Sequence, residues 1–443
     1  MKKLLERFFG FERVGSDLKT EVIAGATTFM AMAYIIFVQP AVLSQAGMDF
    51  GAVMMATCLS AALATMIMGI YANYPIALAA GMGENFFFVF TVVLGMGIPW
   101  QTALGAIFIE GVIFVILLLF HIREMIVDAV PDSLKKAIAG GIGLFIAFIG
   151  LTQAGIITKS PGGIVTLGNL KHPAVLLAVF GIIVTAVLMV RRIKGAILLG
   201  MLITAAVGIP LGMVRYQGII SRPPSLAPTF LQMDVLGAFR LGLFTIIFVF
   251  LFMDLFDTVG TLIGVGEAAG FIKEGRLPRA NRAFMADAVG TVIGGVLGTS
   301  TVTSYIESAA GVAAGGRTGF ASLITGLLFL LTIFFFPLVK MVGGGYQIAE
   351  GLFLYPITAP ALIIVGSLML QTITRIDWSE PSEGIPAFLT LIGIPLTFSI
   401  ADGLAFGFIS YPIIKLCSGK GKGVGWLVYL LGFLFILRYA LAR

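Results

Sequence analysis

The sequence predicts an all-α polytopic membrane protein of about 14 transmembrane spans, folded as two inverted seven-span repeats. Three observations carry that expectation. Of 443 residues, 59% are hydrophobic and only 11% charged, with a mean hydropathy of +1.06, whereas soluble domains carry about 25% charged residues. Apolar runs follow one another almost without interruption, and a helical span needs about 20 residues. The one long polar connection, SRPPSLAPTF at 221–230, has seven such runs before it and about seven after it. An odd number of crossings per half turns the second half upside down relative to the first. The composition excludes a soluble enzyme, a nucleic-acid-binding domain and a disordered chain, because too little polar surface is available.

The elements follow in chain order. The opening MKKLLERFFGFERVG has Glu6, Arg7, Glu12 and Arg13 where a signal peptide needs an unbroken apolar stretch. It is expected to stay on the cytoplasmic side as a surface-lying amphipathic helix. Apolar runs then fall at 22–45, 51–71, 76–95, 98–120, 134–154, 173–190 and 195–214. The second set covers 241–266, 284–299, 301–315, 319–337, 357–373, 384–417 and 424–441, the run at 384–417 being long enough for two crossings broken near Asp402-Gly403. Basic residues excess acidic ones, 28 against 22, for a net charge of +6. Lys2, Lys3, Arg7, Arg13 and Lys19 put the N-terminus inside. Arg123, Lys135, Lys136, Arg191, Arg192, Lys194, Lys273, Arg276, Arg279, Arg282 and Arg317 return to the same side after even numbers of spans. Arg215 and Arg222 are exceptions, on the outside. The membrane expected is a bacterial inner (plasma) membrane.

Cys58 and Cys417 are far apart and form no disulfide framework, and His121 and His172 form no cluster with them. Neither a metal site nor a cofactor is expected. The repeats are expected at about 15–215 and 235–443.

The third and tenth runs occupy corresponding places in the two halves, and both are irregular. YPIALAAGMGENFFF carries Pro75, Gly81 and Gly83, and GTSTVTSYIESAAGVAAGG opens on Thr and Ser before small residues. β-Branched residues favour extended chain and Gly weakens helix, so each run reads as a short extended segment joined to a half-helix. Irregular backbone at membrane depth is tolerated where it is packed in protein or lines a cavity. A matched pair of broken segments is the best pointer to a transport site.

Acids without basic partners point to the same place. No Lys or Arg lies between 20 and 122, yet Glu84 and Glu110 do; none lies at 241–272, yet Asp254 and Asp257 do; none lies at 283–316, yet Glu307 does. An ionisable group inside a membrane marks function by default, and such a group can load and release protons. Glu307 is ten residues from Arg317, about 15 Å at the helical rise and so near the middle of a core about 30 Å thick. Asp254 lies fourteen residues after Arg240 and Asp257 sixteen before Lys273, which makes both central. Their i, i+3 spacing makes them neighbours, so one must be protonated or held by a polar partner such as Thr258. Glu110 reads more as a structural hydrogen-bonding group than as a functional one. Glu84 either caps its half-helix or joins the site, and Asp402 reads as a cap on a broken helix. The Phe-rich stretch 86–90 is core or lipid-facing, with one ring free to stack on a ligand.

These residues resemble a known family. DLFDTVGTLIGV at 254–265, TSYIESAAGVAAGGRTG at 303–319 and GMGEN at 81–85 are similar to motifs of the AzgA-like purine permeases, a branch of the nucleobase–cation symporters (nucleobase–ascorbate transporters). The similarity extends through PDSLKKAIAGGIGLFIAFIGL at 131–151 and PLTFSIADGLAFGFISY at 395–411. The resemblance implies a core domain of spans 1–4 and 8–11, at about 20–122 and 240–337. It also implies a gate domain of spans 5–7 and the last three, at about 133–215 and 355–443. It further implies import of hypoxanthine, guanine or adenine by proton symport. Asp254 and Glu307 would bind the purine, and Asn85, Gly83 and Asp257 would shape the site. Family members carry an apolar residue before the Asn and a small one after it, where this chain has Glu84 and Phe86. That departure bears on substrate preference or on the coupling group.

The chemistry of a purine agrees with such a site. Ring N–H groups need carboxylate acceptors, and an amide offers both kinds of bond. Thr303 and Ser304, in the extended segment, would add polar groups, and Phe86, Phe252 or Phe256 an aromatic wall. Proton coupling would fall to Glu307, Asp254, Asp257 and Glu84. The partners expected are a purine base, a proton and membrane lipid, with no nucleic acid; monomer and homodimer both stay open. An anion transporter or channel on the same inverted-repeat fold is the alternative, but it favours a basic or neutral pocket. An intramembrane aspartyl protease needs acids from two helices and fits less well, and no HExxH or GxSxG motif is present.

Overall fold

The computed structural model of the chain describes residues 2–120, 130–160, 162–241, 243–272, 277–349 and 352–441. His121, Arg123, Lys273 and Arg276, used above for orientation and ligand chemistry, lie outside the described residues. Among the described residues the fold is helical, with three two-stranded antiparallel pairs. Eight helices are long and apolar enough to cross a membrane by length and composition. They are Leu18–Ala46, Phe50–Ala72, Trp100–Leu119, Asp132–Gln153, Pro173–Val190, Phe244–Ala268, Gly319–Gly343 and Ile400–Cys417. Shorter apolar helices cover Met82–Gly95, Ala196–Gly208, Ala359–Arg375 and Trp426–Ala440. Pro173–Val190 leaves Leu176, Ile183, Val187 and Val190 exposed, a stripe at helical spacing that suits lipid contact.

The chain divides into two compact units: Met1–Ile116 with Leu151–Ala361, and Leu117–Gly150 with Leu362–Arg443. In the first, the helix Leu18–Met32 begins where the Asp17 carboxylate accepts from the N–H groups of Lys19 at 2.8 Å and Thr20 at 2.9 Å. Phe50–Ile67 begins where Asp49 accepts from Ala52 N at 2.7 Å. Each such cap contributes about 1 kcal/mol. Gly69 and Gly319 meet backbone to backbone, leaving no room for a Cβ at Gly319; small residues at such crossings let membrane helices approach closely.

The two broken spans are as the sequence predicts. Leu78–Ala80 pairs antiparallel with Val302–Ser304, Leu78 opposite Ser304 and Ala80 opposite Val302. Helix resumes at Met82–Phe86, running on to Gly95 with π-helical spacing, and at Ser308–Ala313. Strand backbone buried this deeply needs a partner for every N–H and C=O. The same device supplies it in both halves. Thr65 Oγ1 accepts from Leu78 N at 2.9 Å and donates to Leu78 O at 3.0 Å. Thr291 Oγ1 accepts from Val302 N at 3.2 Å and lies 2.9 Å from Val302 O. Each threonine sits on the helix that precedes its strand, Phe50–Ile67 or Ala280–Leu297.

Two further pairs, Ile157–Lys159 with Val165–Leu167 and Tyr346–Ala349 with Leu352–Leu354, lie between the apolar runs. Within the second unit the long run at 384–417 is two helices, Pro381–Thr397 and Ile400–Cys417. The break falls at Phe398-Ser399, a few residues before the expected point, because Phe398 turns left-handed at φ 53° and Ser399 caps the next helix through Asp402 N at 3.2 Å. Asp402 is therefore not the cap. Its carboxylate pairs with Arg438 at 3.3 Å and accepts from Tyr439 Oη at 2.7 Å. In the same unit Glu383 accepts from Lys415 Nζ at 2.6 Å, from Tyr411 Oη at 2.9 Å and from Ser133 Oγ.

Candidate functional site

The crossing strands hold two kinds of acid in the first unit. One kind is accessible. Asp257, on Phe244–Ala268, is exposed, and Glu307, at the head of Ser308–Ala313, is half-exposed. Tyr34 Oη donates to Glu307 Oε1 at 2.7 Å, and Thr303 Oγ1 lies 3.5 Å from Asp257 Oδ2. The Tyr305 hydroxyl ties back across the strands to Ala80 O at 2.5 Å. Asp257 and Glu307 thus present carboxyl acceptors beside the strands, with the buried Tyr34, Thr303 and Tyr305 hydroxyls behind them.

The other kind is enclosed. Asp254, Glu110 and Asp287 are completely buried, and Glu84 is 2% exposed. Thr291 Oγ1 lies 3.1 Å from Asp254 Oδ2, Thr301 Oγ1 donates to Glu110 Oε2 at 3.3 Å and Ser304 Oγ to Asp287 Oδ1 at 2.9 Å. Asp254, expected from the sequence to bind the ligand, has its carboxyl enclosed in the packing. Three residues along a helix are rotated by roughly 60°, and that rotation turns Asp257 to open space and Asp254 into the packing. The Glu84 carboxylate folds back over Gly81 at the start of its own helix and excludes a Cβ there.

The remaining expected residues divide in the same way. Asn85 is 1% exposed, with Oδ1 accepting from Gln39 Nε2 at 3.0 Å and from Ser300 Oγ. Its Nδ2 has no hydrogen-bond partner. Gly83 is buried in the same short helix. Phe86 is fully buried and stacks on Phe90 at 5.7 Å, while Phe252 is 2% exposed and stands 4.4 Å from the less buried Phe256. Of the three rings, Phe256 is the least buried. Thr303 and Ser304 turn their hydroxyls to the acids rather than to open space.

Sequence reasoning passed over Gln39, Tyr34, Thr291 and Asp287. The signal for Asp287 was present: it lies in the same base-free stretch, 283–316, that singled out Glu307. Among the described residues no group of three or more His, Cys, Asp or Glu is arranged to hold a metal ion.

A family model described as the Permease family matches residues 19–406. The guanine/hypoxanthine permease PbuG of Bacillus subtilis is 48% identical over 447 residues, covering 98% of this chain and 99% of the relative. The chain belongs to the nucleobase–ascorbate transporter family. The adenine permease AdeP of Escherichia coli is 44% identical, covering 98% of this chain and 96% of the relative. Among solved structures, the transmembrane domain of the cyanobacterial bicarbonate transporter BicA superposes with a TM-score of 0.65 at 14% identity, covering 88% of this chain and 97% of that one. That likeness concerns the fold, a multi-pass inverted-repeat membrane transporter. The permease relatives are transporters rather than enzymes.

Proposed function

We propose that this chain imports purine nucleobases (hypoxanthine, guanine or adenine) by proton symport with alternating access. The observation that carries the reading is the placement of Asp257 and Glu307, near enough to act on each other electrostatically, beside the paired strands, with Tyr34 donating to Glu307. A purine presents ring N–H donors and acceptors around a flat edge, and two carboxyl groups match the donors. The relatives' names support the substrate class. In this reading Asp257 and Glu307 contact the base, Phe256 stacks on it, and Asn85, Gly83, Thr303 and Ser304 shape the crossing behind them. Asp254 acts from within the packing, as Glu84 does.

The transport cycle is a core domain, about 20–122 and 240–337, carrying base and proton past a gate domain, about 133–215 and 355–443. A proton taken up outside lets a carboxyl both donate to and accept from the base, and its loss inside weakens that contact. The setting proposed is a bacterial plasma membrane with the N-terminus in the cytoplasm, as the basic loops favour.

Uptake of radiolabelled hypoxanthine, guanine and adenine by cells lacking their own permeases tests the proposal. Glu307→Ala and Asp257→Ala are each expected to abolish uptake, and normal uptake in both would remove the site assignment. A proton ionophore is expected to stop accumulation. Accumulation that ignores the ionophore and follows sodium would replace the coupling ion.

A further inference from the structure

Two buried amides beside the crossing strands meet by one corner each. Gln39, on Ile35–Leu43, and Asn85, on Met82–Phe86, are 0% and 1% exposed. Gln39 Nε2 donates to Asn85 Oδ1 at 3.0 Å. The opposite corners, Gln39 Oε1 and Asn85 Nδ2, have no hydrogen-bond partner among the described residues. A buried donor left without an acceptor is costly, so an amide held that way in a transport site needs a reason.

The neighbouring hydroxyls decide which corner faces which, because each has a single hydrogen. The sequence of bonds starts at a helix carbonyl. Thr57 Oγ1, on Phe50–Ile67, donates to Val53 O at 2.7 Å, which uses its hydrogen. Thr299 Oγ1, 3.4 Å away, therefore donates to Thr57. Its lone pairs are then left for Gln39, so the Gln39 atom 3.0 Å from it is the donor Nε2. The same Nε2 meets Asn85 Oδ1 and lies 3.2 Å from Ser300 Oγ, whose hydrogen also goes to Asn85 Oδ1. Two donors thus hold Asn85 Oδ1, and the NH2 corner is the one left over. Reversing Gln39 would set its carbonyl against Thr299 and draw the Thr299 hydrogen away from Thr57. Met82–Phe86 packs on both Ile35–Leu43 and Phe244–Ala268, so Asn85 belongs to the element that joins the Gln39 helix to the helix of Asp257 and Phe256.

That orientation bears on which purine fits. Hypoxanthine and guanine carry an oxygen at C6 beside a ring N1–H, whereas adenine carries an amino group at C6 beside a bare N1. A carboxyl that accepts from N1–H leaves the C6 oxygen as the adjacent acceptor, and an NH2 group completes the pair. Offered adenine, the same NH2 would face another NH2. We propose that Gln39, oriented by Thr57 and Thr299, fixes Asn85 with Nδ2 as the donor to the ligand's C6 oxygen and so makes this a 6-oxopurine site. Gln39 and Thr57 act through Asn85 and are positioning residues. This selectivity rests on the purine-import reading and names which purines the same site takes.

The test is displacement of radiolabelled hypoxanthine from purified full-length protein by unlabelled hypoxanthine, guanine and adenine. For the unaltered chain, hypoxanthine and guanine are expected to displace at concentrations about tenfold or more below adenine, the effect of one lost bond and a donor facing a donor. Gln39→Met removes the donor that orients Asn85, and Thr57→Val frees the Thr299 hydrogen so that Gln39 can reverse. In each, the preference is expected to fall to within about twofold. Thr57→Ser keeps the hydroxyl and is expected to keep the preference. Adenine displacing as well as hypoxanthine from the unaltered chain overturns the proposal. So does an unchanged preference in Gln39→Met and Thr57→Val, or a Ser variant no better than Val. Parallel weakening of all three purines in both variants also overturns it, since that marks a framework role. Failure of the unaltered chain to bind any of the three would instead remove the purine reading itself, before any variant is compared.

Discussion

Tyr34 and Asp257 show what single side chains contribute at this site. Tyr34 is 1% exposed and its hydroxyl donates to Glu307 at 2.7 Å. Tyr34→Phe keeps the ring and removes that bond, which is worth about 1.5–3 kcal/mol when one partner is charged. Hypoxanthine KM is expected to rise by about tenfold with kcat less affected, because the carboxyl proposed to meet the base loses its orientation. An unchanged KM would mean that Glu307 is held without Tyr34. Asp257→Asn and Asp254→Asn separate the two aspartates in another way. Binding of radiolabelled hypoxanthine to purified protein is expected to weaken about tenfold or more for Asp257→Asn and to change little for Asp254→Asn. The reverse order would put Asp254 on the ligand. The sequence alone made Asp254, Asp257 and Glu307 legible as a group, because charge is so scarce around them. It could not separate Asp254 from Asp257, since facing depends on how the helix is rotated in the packing. Nor could it pick out Gln39 or Thr291, whose residue types are common in helices and acquire meaning only from strands distant in sequence.

At the level of elements, the two threonine clamps are the feature that makes short strands possible at this depth. Thr65→Val and Thr291→Val are close in shape and each leaves a buried backbone N–H and C=O without its partner. An unsatisfied buried group costs about 1–3 kcal/mol, so both variants are expected to lower the thermal midpoint in detergent by several degrees and to reduce uptake. Thr185→Val is the control. Among the described residues that buried hydroxyl bonds only the carbonyl of Gly181 in its own helix, at 2.8 Å, and its loss is expected to be nearly neutral. If Thr185→Val destabilises as much as the clamp variants, the clamps are ordinary buried hydroxyls. The broken spans themselves were legible, from Pro, Gly and β-branched residues where helix formers should be. The strand pairs Ile157–Lys159 with Val165–Leu167 and Tyr346–Ala349 with Leu352–Leu354 were not, because strands of three or four residues carry too little alternation to register. The break inside 384–417 was seen but misplaced, since it is made by Phe398 in a left-handed turn, a conformation no sequence rule assigns to Phe.

For the molecule as a whole, the low charge content that announces a membrane protein also constrains how it can be driven. Asp254, Glu110 and Asp287 are enclosed together without a Lys, Arg or His in their stretches of chain. Holding three negative charges there would be costly, which favours the proposed coupling to protons, since a proton neutralises a carboxyl. Uphill purine uptake is therefore expected to rise as external pH falls, with the internal pH held constant. More protons outside fill the carboxyls at the outward step, and a constant inside pH leaves their release unchanged. The measurement is initial uptake against external pH in liposomes of fixed internal pH, with choline replacing sodium throughout. Flat uptake across that series, or uptake that needs sodium, would mean that the enclosed acids do not carry the driving proton.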